Sequence, residues 1–147
     1  MQYDLNVARK ILRNHLSDKW DSIDFSYDLN DENLHVSAEV TLKAFDDDIS
    51  IFIDIFNGGM AYFRAVFDKV NPQKISNILD YFRTLNQFNN EDLYFRAYVR
   101  EDQYLVIDHS TSYNDESDLP AFVDECLIRL SKTGESKPLR ILTAATE

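Results

Sequence analysis

Residues 75–109 read ISNILDYFRTLNQFNNEDLYFRAYVREDQYLVIDH, and this stretch decides the fold. Its first part has the period of an amphipathic helix, which is predicted to end at Asn89-Asn90. The apolar positions of this helix are Ile75, Ile78, Leu79, Phe82 and Leu85. Two alternating runs follow, LYFRAYVR and YLVIDH, separated by a short polar turn. The pattern predicts a helix followed by an antiparallel hairpin.

The turn of this hairpin sets which side chains share a face. With a three-residue turn at Glu101-Asp102-Gln103, one face carries Leu93, Phe95, Ala97, Val99, Leu105, Ile107 and His109. The other face then carries Tyr94, Arg96, Tyr98, Arg100, Tyr104, Val106 and Asp108. A two-residue turn would mix the apolar and polar sets, so we predict the three-residue turn with Arg96 opposite Asp108.

A second hairpin is predicted at Asn57-Gly58-Gly59, which separates two apolar runs. One face is predicted to carry Ile49, Ile51, Ile53 and Ile55 with Met60, Tyr62, Arg64 and Val66. The other face is predicted to carry Phe52, Asp54, Phe56, Ala61, Phe63 and Phe67. With the isoleucines against helices, the phenylalanines would form an apolar patch on the outside of the sheet. We expect a second copy or a partner's helix or strand to cover it, rather than the tail through Leu139, Ile141 and Leu142.

Periodicity and capping residues predict the remaining elements. They are a helix at 4–19 capped by Asp4, strands at 23–29 and 34–45, a central helix beginning at Asn71-Pro72 and a last helix capped by Asp118. The chain is therefore predicted to be one α+β domain over residues 1–132. Its order is α-ββββ-α-ββ-α, with three helices mainly on one face of an antiparallel sheet of about six strands. Residues 133–147 are expected to form a C-terminal tail, either an edge strand or disordered.

Composition limits the environment and the classes of partner. The 147 residues carry a formal charge of −11, which disfavours binding to nucleic-acid phosphate and favours basic or apolar partners. The single Cys126 cannot form an intramolecular disulfide. The N-terminus lacks the apolar run of a signal peptide, and no segment is apolar enough to span a membrane. We expect a cytoplasmic protein that binds no membrane.

Ligand chemistry has weak support in the sequence. Asp28, Asn30, Glu32 and Glu39 have calcium-loop spacing, but the sixth position is Asn33 rather than Gly, so a hairpin turn is favoured. The run Asp46–Asp48 is expected to be a solvated loop. We predict no metal and no cofactor.

Catalytic chemistry has no better support. Asp108 and His109 are neighbours on a strand, so they point to opposite faces and cannot form a dyad. His109 is predicted to be a packed residue at the end of the core face, and Cys126 to be a core residue. We predict no catalytic residues.

The end of the central helix and the hairpin after it resemble the YbjN family of proposed bacterial sensory-transduction regulators. The resemblance rests on Leu85-Asn86-Gln87-Phe88-Asn89, Arg96-Ala97-Tyr98, Glu101-Asp102 and Leu105-Val106-Ile107. It implies a fold similar to that of class I type III secretion chaperones, which are small, acidic and usually dimeric. It implies no catalytic residues.

Together these observations predict a non-enzymatic binding, chaperone-like or regulatory domain, expected to be a homodimer that binds a protein through its sheet face or a dimer surface. The candidate contact residues are Phe52, Phe56, Phe63, Phe67, Tyr94, Arg96, Tyr98, Arg100 and Tyr104. Tyr and Arg are favoured in interfaces, although ordinary cross-strand pairing explains them as well. The alternative is an acidic inhibitor, either a toxin-neutralising immunity protein or a phage-type nucleic-acid mimic.

Overall fold

A computed structural model of the chain describes residues 2–45 and 47–147, and Asp47 is described by its backbone alone. The helices are α1 (Leu5–Lys19), α2 (Ile78–Glu91), α3 (Leu119–Lys132) and α4 (Lys137–Ala144). The strands are β1 (Ser26–Leu29), β2 (Asn33–Leu42), β3 (Asp47–Phe56), β4 (Met60–Lys69), β5 (Arg96–Val99) and β6 (Tyr104–Ser112). Of the loop predicted at Asp46–Asp48, Asp46 lies outside the described residues and Asp48 belongs to β3.

The six strands form one antiparallel sheet in the order β1-β2-β3-β4-β6-β5, with the helices packed on one face. The predicted α+β class and strand number are confirmed, while the predicted number of three helices is one short. We call the helix-bearing side the covered face and the other side the open face. The isoleucines of β3 lie on the covered face, where Ile51, Ile53 and Ile55 are fully buried together with Leu12 and Leu16 of α1.

α1 follows its predicted pattern closely. The side chain of Asp4 accepts hydrogen bonds from the backbone N–H groups of Asn6 and Val7, at 3.0 and 3.2 Å, and so caps the helix. The buried residues recur every three or four positions, and they are Leu5, Ala8, Leu12 and Leu16. This stripe packs against the covered face at the β1–β3 end of the sheet.

The central helix begins later than predicted. Asn71 caps only a single 3-10 turn, Pro72–Lys74, and the chain is extended again at Ile75. α2 starts at Ile78, where Asn77 accepts hydrogen bonds from the N–H groups of Leu79 and Asp80. The second cap competes with the first for the start of the helix, and the residues before it become a connector.

The two hairpins differ in how well they were predicted. In β5–β6, Arg96 pairs with Asp108 and Ala97 with Ile107, which confirms the three-residue turn. In β3–β4, Ile53 pairs with Phe63, so the prediction that Phe63 lies opposite the isoleucine face is wrong. The cause is a three-residue loop closed by the Gly59 N–H donating to the Phe56 C=O, with Gly59 at φ 98°.

The C-terminal residues form α4 rather than the edge strand or disordered tail that was predicted. Pro138 lies in the first turn, and the Ser136 side chain accepts from the N–H of Leu139. Leu139 and Leu142 are fully buried, and α4 packs along α2. The end of the chain is bound to β4, because Glu147 donates its N–H to the Lys69 C=O at 2.9 Å.

Candidate functional site

The open face carries two buried carboxylates, and each is bound by several donors. Asp54 on β3 accepts from the Asn33 amide at 2.9 Å and lies 2.7 Å from Nδ1 of His35. The Arg64 guanidinium lies 3.5 Å away on its other side. Buried carboxylates need such partners, because an unpaired charge away from water is unstable. Asp54 therefore fastens β2, β3 and β4 together.

Asp108 on β6 has the same role at the other end of the sheet. Its Oδ2 accepts from the Tyr62 hydroxyl at 2.6 Å and from Nη2 of Arg96 at 3.0 Å. Burial, together with this hydrogen bond to Asp108 and one to Tyr98, raises the pKa of Tyr62 well above its ordinary value of about 10. Tyr62 is therefore a neutral donor at physiological pH, and the arrangement holds β4, β5 and β6 in register.

Arginines of the open face lie over aromatic rings. Arg64 covers Phe52, with 5.2 Å from the guanidinium carbon to the ring centroid. Arg96 covers Tyr98 at 5.0 Å, and Arg100 covers Tyr104 at 5.6 Å. These are cation–π distances, and each also shields apolar ring surface from water. The open face is thus a layer of paired side chains rather than an apolar patch.

This layer corrects the predicted contact residues. Phe52 lies on the open face but is half-buried, and Phe56 is exposed at the end of β3. Phe63 is fully buried on the covered face beside Phe95, and Phe67 is buried against Phe45. The four phenylalanines therefore do not form the predicted patch, since the three-residue loop of the hairpin turns β4 over relative to β3.

Tyr94 is also on the face opposite to the predicted one. It precedes β5, and its ring stacks on His109 with centroids 3.8 Å apart. Its hydroxyl lies 3.2 Å from the Cys126 sulfur on α3. The displacement arises because the Asp92 side chain accepts from the N–H groups of Tyr94 and Phe95, which bends the chain before the strand begins.

The predicted packing of Cys126 and His109 is confirmed. Cys126 is fully buried, and burial raises the pKa of its thiol to about 12. His109 stacks between Tyr94 and Phe122, and its Nδ1 lies 2.9 Å from the Tyr94 C=O. Asp108 points to the open face while His109 points to the covered face, so the two side chains are separated by the sheet.

The candidate calcium loop is a hairpin turn. Asn30 uses its side-chain oxygen to accept from the N–H groups of Glu32 and Asn33, at 2.8 and 2.9 Å. Within residues 2–45 and 47–147, no three His, Cys, Asp or Glu side chains converge as metal ligands would. Over the same residues, no helix combines the length and apolar character needed to cross a membrane.

The surface that sequence reasoning missed is on α2. Ile78, Leu79 and Phe82 were assigned to the buried side of this helix, yet they are 54%, 62% and 50% exposed. The residues that α2 buries are Tyr81 and Phe88, one heptad apart. We call the exposed set, Ile78, Leu79 and Phe82, the α2 stripe. The spacing of the two aromatic residues is the one sequence signal that could have identified the true buried side.

Comparison with known proteins gives a structural match without a sequence match. No protein-family model and no curated protein sequence matches the chain. The crystal structure of YbjN from E. coli, a proposed transcription regulator, superimposes with a TM-score of 0.51. The match covers 92% of this chain and 89% of that one at 22% identity. The fold is YbjN-like.

The motif that carries the sequence resemblance connects two elements of the structure. Its Asn-rich segment lies at the end of α2, where the Asn89 side chain accepts from the Ala97 N–H at 2.6 Å and donates to its C=O at 3.0 Å. One asparagine therefore joins the central helix to the outer side of β5. In this YbjN-like fold the motif has a structural role: it ties the central helix to the edge strand of the hairpin.

Proposed function

We propose that this chain is a non-enzymatic, regulatory protein-binding domain that acts as a homodimer formed through the α2 stripe. The observation that carries the proposal is the exposure of three large apolar side chains on one helix of a protein with a formal charge of −11. Contiguous apolar surface of this kind marks interaction sites on proteins. A second copy is the occupant that the area and charge of this surface favour.

The area of the surface suits a dimer. The exposed fractions of Ile78, Leu79 and Phe82 are 54%, 62% and 50%. Together they are equivalent to between one and two whole side chains, on the order of 300 Å² of apolar surface. A standard interface buries about 800 Å² per partner, so this surface would supply the apolar centre of one copy's share.

The charge of α2 also suits a second copy. Two acidic residues and one basic residue lie between Ile78 and Glu91, which leaves this helix nearly neutral. Asp80 and Arg83 form an ion pair at 3.2 Å beside the stripe. Two strongly acidic molecules repel each other across most of their surfaces, and the repulsion is smallest where the local charge is low.

A binding role, rather than a catalytic one, is supported by how the buried carboxylates are used. Asp54 and Asp108 each contact two or more donors across neighbouring strands, as structural acceptors do. The solved structure with the same fold, YbjN, is described as a regulator. Both observations favour a protein that acts by binding.

Sedimentation of wild type and Leu79→Ser/Phe82→Ser tests the dimer. We expect a wild-type dimer at tens of micromolar, and a monomeric variant with a melting temperature within a few degrees of wild type, because exposed positions contribute little to the monomer. The matched control is Phe56→Ser/Met60→Ser. It removes two exposed apolar residues from the open-face end of the β3–β4 hairpin and should remain a dimer.

A monomeric wild type at these concentrations would overturn the dimer. A dimer that survives the α2 changes but is lost with the Phe56/Met60 changes would move the interface to the open face. The acidic-inhibitor alternative predicts something else: a tight complex with an enzyme from the native host, whose activity falls when the complex forms. Affinity capture followed by an activity assay separates that outcome from regulation.

A further inference from the structure

The outward backbone groups at the two edges of the sheet differ in their hydrogen-bond partners. At the β5 edge, the Asn89 amide on α2 occupies both the N–H and the C=O of Ala97. At the opposite edge, β1 pairs only with β2 among the described residues. An uncovered edge strand presents backbone groups that can bind another strand. The β1 edge is therefore the open end of the sheet.

The hydrogen-bonding pattern identifies the outward groups. Asn30 donates its N–H to the Asn33 C=O at 3.0 Å, which makes these two residues a hydrogen-bonded pair. Such pairs alternate along an antiparallel ladder, so Asp28 also faces β2. Tyr27 and Leu29 then direct their N–H and C=O groups away from the sheet. An added strand would bind to these four groups.

A concavity lies on each side of this edge. The one on the open face has a volume of about 490 Å³, and its lining includes Asp24, Ser26, Glu39 and Phe52. The one on the covered side, beside α1, has a volume of about 250 Å³, and its lining includes Ile23, Phe25 and Tyr27. Alternate side chains of an added strand would point toward these two concavities in turn.

Carboxylates line both concavities, and the two differ in their apolar lining. Exposed carboxylates on and around β1 belong to Asp21, Asp24, Asp28, Asp31, Glu32 and Glu39. Those of Asp24 and Glu39 line the open-face concavity, which therefore suits basic side chains. The covered-side concavity is also lined by Asp21, Asp24 and Arg13. Its distinctive lining is the half-buried set Ile23, Phe25 and Tyr27, which suits apolar side chains.

We infer that the β1 edge binds an extended segment of a partner protein as an added strand, in which basic and apolar residues alternate. This inference rests on the proposed protein-binding function but uses a surface separate from the α2 stripe. Pairing of β1 with β1 of a second copy is disfavoured, because it would bring two sets of six carboxylates together. The occupant is therefore a basic segment of another protein.

The test uses a labelled peptide of seven residues that alternates Lys and Val, with a Glu/Val peptide as its charge-reversed control. We expect the Lys peptide to bind the full chain and the Glu peptide not to bind, by fluorescence anisotropy. Amide hydrogen exchange should slow at Tyr27 and Leu29, the two outward residues, when the Lys peptide is added. Binding without this protection would overturn the inference.

Backbone methylation distinguishes an added strand from charge attraction alone. Residues directly opposite each other in an antiparallel ladder share a face, so the valines would hydrogen-bond with Tyr27 and Leu29. N-methylation of the valine amides should abolish binding, while N-methylation of the lysine amides should leave it unchanged. Equal binding of both methylated peptides would overturn the added-strand geometry.

Side-chain variants test the charge preference. Asp24→Asn and Asp28→Asn change exposed residues, and each should lower the affinity for the Lys peptide by roughly twofold to fivefold. Glu101→Gln, at the β5–β6 turn near the opposite edge, is the matched control and should have no effect. Equal affinities in all three variants would contradict the inference. A wild-type dimer that does not bind the Lys peptide would overturn this inference and leave the proposed dimer intact. A wild-type monomer that binds the Lys peptide would overturn the dimer and leave this inference intact.

Discussion

Consecutive residues of β3 are buried in two different ways. Ile53 points to the covered face, where apolar side chains from helices and strands surround it completely. Phe52 and Asp54, on either side of it, point to the open face. Phe52 is covered by the Arg64 guanidinium and stacks on His35, and Asp54 is buried by the donors around it.

The difference shows that one strand can depend on two kinds of stabilisation. The covered face relies on non-directional removal of apolar area from water, which tolerates changes of shape but not of charge. The open face relies on specific pairs, each of which needs its partner in place. A charge introduced on the covered face of β3 should therefore unfold the protein, whereas a charge change on its open face should only lower its stability.

The largest expected effect comes from placing a charge on the covered face. Ile53→Asp puts a carboxylate among fully buried apolar residues, at a cost of several kcal/mol. Because a domain of this size is stable by only about 5–15 kcal/mol, we expect no cooperative unfolding transition in this variant. Circular dichroism during heating measures this. Lys43→Asp, at an exposed position just past β2, is the control and should melt close to wild type.

Truncation of one phenylalanine on each face should give effects of intermediate size, and the loss of stability should differ between the two faces. Phe63→Ala empties a fully buried site on the covered face and should lower the free energy of unfolding by about 3–5 kcal/mol. Phe52→Ala removes a half-buried ring covered by the Arg64 guanidinium, and a loss of about 1 kcal/mol is expected. Urea denaturation of both variants gives the comparison directly. Equal losses would mean that the open face packs as tightly as the core.

These phenylalanines also show where sequence reasoning succeeds and where it stops. In β5–β6, polar and apolar residues alternate cleanly, so only one turn length sorts them, and the predicted Arg96–Asp108 pair is present. In β3–β4, both faces of each strand are rich in apolar residues. Either register buries a hydrophobic set, and Asn57-Gly58-Gly59 is compatible with a two- or a three-residue loop.

The α2 stripe was missed for a physical reason as well. The helical period identified the apolar positions Ile78, Leu79 and Phe82, but it could not show that the neighbouring elements leave this side of α2 exposed. α4 is only eight residues long and begins with Lys137-Pro138, so its sequence resembles a tail. Its packing against α2 is accompanied by burial of Tyr81 and Phe88 and leaves Ile78 and Phe82 outside. Such non-local packing overrides local periodicity.

The smallest expected effect concerns a polar contact on the covered side, between α1 and α3. Asp124 accepts from Nε1 of Trp20 at 2.7 Å and Nζ of Lys19 at 2.9 Å, and it lies 2.8 Å from Nε2 of His15. Partial burial acts to raise the pKa of Asp124, but the contacts with Trp20, His15 and Lys19 outweigh it, and the pKa lies below its ordinary value of 3.8. The folded state therefore favours the ionised carboxylate.

Asp124→Asn should lower the free energy of unfolding by about 1–2 kcal/mol at pH 6, because it replaces charge-assisted contacts with neutral ones. A lowered folded-state pKa means that the contribution is complete above the unfolded-state pKa of about 3.9 and is lost as the pH falls through the folded value. Urea midpoints of wild type and Asp124→Asn should therefore differ at pH 6 and converge below pH 4.

The control, Glu125→Gln, removes an exposed carboxylate paired with Arg129 on the same helix and should change the midpoint little at either pH. A wild-type advantage that persists unchanged at the lowest pH where the domain stays folded would show that Asp124 acts through packing. In that case the α1–α3 contact would depend on packing, as the isoleucines of the covered face do, and not on specific pairs like those of the open face.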